Sequence, residues 1–116
     1  MVRVFDFEQD GVKVKLAAMS WTLAEKHVAE GQELLARGDV TPNEWFQRIV
    51  KAVETSMERA DAGAENTLQG LKDAYDVPTL KDVIPAMYER LMVVSGLRNP
   101  EGEEKAAPIS ANSAAA

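Results

Sequence analysis

Apolar and polar positions alternate with a period of two at the start of this chain and with a helical period over most of the rest. In Val12-Lys13-Val14-Lys15-Leu16 the apolar side chains fall on one face and the lysines on the other, as in a half-buried strand. Asp10-Gly11, just before, tolerate the positive φ that a two-residue hairpin turn demands. The segment upstream puts Val2 and Val4 on one face and Phe5 and Phe7 near or on the other. That strand is therefore apolar on both sides over part of its length. A two-stranded hairpin is marginal by itself in water, so the pattern predicts that something covers it. The protein's own helices account for the Val12, Val14 and Leu16 face. Phe5 and Phe7 either wrap the edge of the same core or mark a surface for a second subunit or a client.

Helical signals begin at Thr22, whose spacing to Glu25 fits a capping box. Leu23, Ala24, Val28, Leu34 and Leu35 form an intermittent apolar stripe that ends at Gly38, with Gly31 a weak point inside it. A second start stands at Thr41-Pro42-Asn43-Glu44, with Thr41 as cap, Pro42 in the first helical position and Glu44 closing the box. Its stripe is Trp45/Phe46, Ile49/Val50, Val53 and Met57, against Glu44, Arg48, Lys51, Glu54 and Glu58, and it should run to about Ala60. A shorter helix is predicted from roughly Glu65 to Tyr75, with Leu68, Leu71 and Tyr75 on one face and Gly70 a soft spot. A last helix should start near Thr79 and run to Ser95, with Pro85 kinking it or confining its regular part. Gly96-Leu97 reads as its stop. The expected fold is a mainly α domain of about four helices with a short N-terminal β-hairpin, over residues 1–97. Residues 98–116, polar, small and Pro-containing, read as a disordered tail.

Composition narrows the function. A chain of 116 residues fits one domain with a tail, and 46% apolar with 28% charged residues is ordinary for a soluble globular protein. The net charge of −6 argues against a phosphate-backbone binder, so no nucleic-acid partner is expected. No apolar run approaches the roughly 18 residues of a membrane span and the N-terminus has no leader pattern, so no membrane partner is expected either. With no Cys and one His, the chain has no disulfide framework, thiolate nucleophile or His/Cys metal site. His27 reads as a flank residue, and the glycines lack phosphate-loop spacing. Asp6, Glu8 and Asp10 read as solvated charges at a strand edge, and Glu54/Glu58 as a solvated like-charged pair. Nothing here makes an enzyme, and no catalytic, metal or cofactor site is assigned.

What remains is contact chemistry. Trp21, between hairpin and helix, would dock one on the other. Trp45 and Phe46 lead an amphipathic stripe. Met19, Met57, Met87 and Met92 either fill the core or form an adaptable contact surface. The candidate partner-binding residues are Phe5, Phe7, Trp21, Trp45, Met57 and Met92.

Three stretches in fixed order carry a resemblance over about residues 4 to 97: the hairpin ending in LAAMSW, the WFQRIVKAVETSMERA helix, and a terminal helix closing on VVSGL before a polar tail. In this layout the chain resembles the tail assembly chaperones of long-tailed (siphovirus-type) bacteriophages. The resemblance implies a non-catalytic protein of the infected host's cytoplasm, absent from the mature virion. It implies binding and solubilising of the tape-measure protein and recruitment of tail-tube protein, in the family often through a longer frameshifted product. The two-sided hairpin and the Gly- and Pro-interrupted helices would equally suit a subunit that self-associates. Rival readings are a small head–tail or tail component of the phage particle, and an acidic helical adaptor.

Overall fold

A computed structural model describes residues 2–98. The described residues form, in order, strand β1 (Val4–Gln9), strand β2 (Val12–Ala17), and helices α1 (Trp21–Arg37), α2 (Pro42–Ala60), α3 (Leu68–Ala74) and α4 (Val77–Val94). This is the mainly α fold with an N-terminal hairpin that the pattern predicts. The expected tail lies outside the described residues except for Arg98. Arg98 belongs to the folded body: its guanidinium pairs with Glu89 and lies 6.0 Å from the Tyr88 ring centre.

The hairpin is antiparallel, with Phe5 opposite Leu16 and Phe7 opposite Val14. Asp10 (φ 52°) and Gly11 (φ 81°) form its two-residue turn, the primed geometry that matches strand twist. Val12, Val14 and Leu16 are buried and Lys13 and Lys15 exposed, so the alternation is obeyed residue by residue. Lys15 reaches Asp6 at 2.6 Å and Lys13 reaches Glu8 at 3.9 Å, on the solvated face. Phe5 and Phe7 share the inner face with their partners and pack against the core from its edge. It is Val2 and Val4 that stay exposed.

The core lies between that inner face, α2 and α4. Val53 and Met57 of α2, Leu68 and Leu71 of α3, and Leu80, Val83, Ile84, Met87, Tyr88, Leu91 and Met92 of α4 fill it. Removing these chains from water is the main favourable contribution to folding.

Several helix boundaries differ from expectation for physical reasons. Ser20, not Thr22, caps α1: its hydroxyl accepts from the Leu23 N–H at 3.2 Å, which starts the helix at Trp21. Trp21 is thereby turned outward, 63% exposed, and does not dock hairpin on helix. The Thr41/Glu44 box on α2 forms as predicted, with Pro42 leading. Helix α3 is shorter than expected because Thr67 takes the cap, accepting from the Gly70 N–H at 3.0 Å. Helix α4 starts earlier than expected, since Asp76 caps it on the Thr79 N–H at 2.9 Å and Pro78 stands where no N–H is needed. The same helix continues through Pro85. Its end is a Schellman turn: Gly96 (φ 79°) donates to Val93 O and Leu97 donates to Met92 O, while Leu97 is buried.

Candidate partner-binding cleft

Helix α1 is the element least attached to the body. Of its residues only Ala24 and Gly31 are buried, and it makes few close backbone approaches to any other element. Polar ties hold it at intervals. The Met19 N–H donates to Ser95 Oγ at 2.9 Å just before the helix starts. His27 Nε2 lies 2.7 Å from the Tyr88 hydroxyl of α4. Near its end Arg37 pairs with Asp39 at 2.9 Å and with Glu44 of α2 at 3.1 Å.

Between these ties α1 stands off α2 and leaves a cleft of about 490 Å3. Its apolar floor includes Ala17, Met19, Leu23 and Leu34. On α2 the wall runs from Arg48 through Ala52, Thr55 and Ser56 to Arg59, one helical face with small residues between two arginines. Five cations line the cleft (Lys26, Arg37, Arg48, Lys51, Arg59) against two carboxylates, Glu30 and Glu33. In a chain of net charge −6 this is a local reversal of sign.

Arg48 is the unusual member. Its guanidinium lies 5.3 Å from the Trp45 ring centre and against the backbone of Gly31, where an added Cβ would fall 2.5 Å from Nη2. The Nε is buried and has no hydrogen-bond partner. Among the described residues Arg48, Lys26 and Lys51 take part in no ion pair. Arg59 is committed elsewhere, donating to the Ala18 carbonyl at 2.6 Å. Burial, with Arg48 and then Arg98 adding repulsion, pushes His27 down to about 4, so it is neutral at physiological pH and bonds Tyr88 as an uncharged ring.

The six residues predicted from sequence to bind a partner do not form one surface. Met57 and Met92 are 1% and 3% exposed core residues, so in this conformation they offer a partner nothing. Their apolar spacing is core spacing. Phe5 and Phe7 support the hairpin from within. Trp21 is exposed, and Trp45 borders the cleft through its contact with Arg48. Of the cleft cations, Arg48 and Lys51 were visible only as the polar side of an amphipathic helix, and nothing in the spacing said that α1 would face them. Among the described residues no group of three His, Asp or Glu side chains is placed to hold a metal ion, and no helix is long and apolar enough to cross a membrane. Comparison with protein-family models, with curated proteins and with solved structures gave no match.

Proposed function

We propose that this chain is a non-catalytic tail assembly chaperone of a long-tailed phage. It binds the tape-measure protein, keeps it soluble and helps recruit tail-tube subunits, in the cytoplasm of the infected host and without entering the virion. The resemblance of the hairpin, the Trp45-led helix and the closing VVSGL turn supports this reading. The observation that carries it is the open cleft between α1 and α2. A helix held off its neighbour by ties at intervals leaves room for a client segment, and amphipathic helices are bound in such grooves. The net charge keeps a coated client in solution.

Co-expression with the tape-measure protein of the same genome tests the reading. The client is expected in the soluble fraction, co-purifying with this chain, and insoluble without it. A client that precipitates equally in both cases overturns the proposal. Mass spectrometry of purified particles is the second arm. Abundant recovery of the chain from virions would make it a structural tail component instead.

A further inference from the structure

We propose that the cleft between α1 and α2 is a selective docking site for an acidic amphipathic segment of a partner protein. It is to be occupied by a helix whose apolar side lies on Met19, Leu23 and Leu34 and whose carboxylates meet Lys26, Arg48 and Lys51. This deepens the chaperone reading by naming the chemistry of the client segment, and it rests on the cleft being the docking surface.

Charge complementarity carries the argument. In an acidic protein with carboxylates to spare, these three cations have none as partners among the described residues. Arg48 is the most telling. A buried, unpartnered guanidinium nitrogen costs stability, yet the side chain is held in place between the Trp45 ring and the bare backbone of Gly31. Such a group is pre-positioned for a planar acceptor, and a carboxylate matches its fork. The wall has the right shape as well. From Arg48 to Arg59 the α2 face spans about 16 Å, three helical turns, with the small residues Ala52 and Thr55 letting another backbone approach closely. A long polyanion such as nucleic acid is disfavoured because the surface beyond the cleft is net acidic.

The test uses the full chain, isotopically labelled, titrated with a synthetic helical peptide of Leu, Ala and Glu with glutamates four residues apart. A matched peptide with Gln in place of Glu is the control. Expected are amide shifts confined to Lys26, Gly31, Arg48 and Lys51 and their neighbours, affinity that falls with added salt, and little binding of the Gln peptide. The K26E/K51E variant should bind about tenfold more weakly or worse, and since both lysines are exposed it should fold normally. Equal binding of the two peptides, or unchanged affinity of K26E/K51E, overturns the proposal. So does a large gain in affinity for E101Q/E103Q/E104Q, which would make this chain's own acidic stretch the occupant. Self-association of the free chain that K26E/K51E abolishes would make the occupant a second copy, and overturns it too. The two readings fail separately. If K26E/K51E solubilises the tape-measure protein as well as the native chain, only the acidic-segment inference falls. If the acidic peptide seats in the cleft but the client stays insoluble, only the chaperone reading falls.

Discussion

Asn66 closes the outer edge of β2: its Oδ1 accepts from the Lys15 N–H at 2.7 Å and its Nδ2 donates to the Lys15 carbonyl at 2.8 Å. One side chain thus does for Lys15 what a third strand would do. Ser56 repeats the device at the next outward-facing peptide, accepting from Ala17 N–H at 2.9 Å and donating to Ala17 O at 2.8 Å. Arg59 and Ser95 continue it at Ala18 and Met19. A two-stranded hairpin is thereby made part of a helical protein, because the outer edge of β2 is hydrogen-bonded by side chains rather than left bare.

Replacing Asn66 by Ala should therefore cost about 1–2 kcal/mol, since the part-buried Lys15 peptide group loses both side-chain partners. Urea denaturation measures it. S56A should cost a similar amount, and hydrogen exchange at Lys15 and Ala17 should speed up in the respective variant.

Two helical glycines should respond with opposite signs. At Gly70 an added Cβ meets the Glu65 carbonyl oxygen at 2.8 Å and the Ala64 oxygen at 3.2 Å, backbone atoms that cannot step aside. G70A should destabilise by more than about 1 kcal/mol. At Gly31 the obstacle is the far end of Arg48, which can swing into the cleft. G31A should keep most of the roughly 1 kcal/mol helix gain of Gly to Ala and raise the melting temperature, while releasing Arg48 from its seat.

Arg48→Met should leave stability unchanged or raise it, because removing a buried N–H without a partner offsets the loss of the guanidinium's contact with the Trp45 ring. Thermal unfolding of R48M decides this. A clear loss of stability would show that the guanidinium is structural.

His27 gives a signed pH dependence. Its folded value of about 4 lies below the ordinary 6.5, so between those values the unfolded chain binds the extra proton. The stability linked to neutral His27 is complete above about pH 6.5, declines as pH falls, and is gone below about pH 4. In H27Q the part of the acid-induced loss between these values should be smaller than in the native chain, as read from denaturation midpoints at several pH values.

The hairpin's two faces should also separate. F5S and F7S each remove half-buried packing against the core and should cost about 1–2 kcal/mol. V2S and V4S, on exposed positions, should stay within about 0.5 kcal/mol of native stability. Denaturation curves of the four variants test both statements.

Local chemistry alone determined a good deal of this protein. The period-two run of Val12, Val14 and Leu16, the Asp10-Gly11 turn, the Thr41/Glu44 box and the Gly96-Leu97 stop are decided within a few residues of chain, by φ preferences and by backbone groups that need a near partner. The core face of α4 was legible for the same reason, since burial there follows helical period. Other features depend on residues far apart in sequence. Ser20 outcompetes Thr22 as a cap where the chain leaves the hairpin, turning Trp21 outward. Asn66, expected in the first turn of the third helix, stands ahead of it and meets Lys15 across 51 residues. Met57 and Met92 go inside because α2 and α4 meet there. The cleft exists because α1 is tied by His27 and Arg37 rather than packed along its length. Periodicity says which side of a helix is apolar, but the distance between two helices is set by how their side chains meet in the fold.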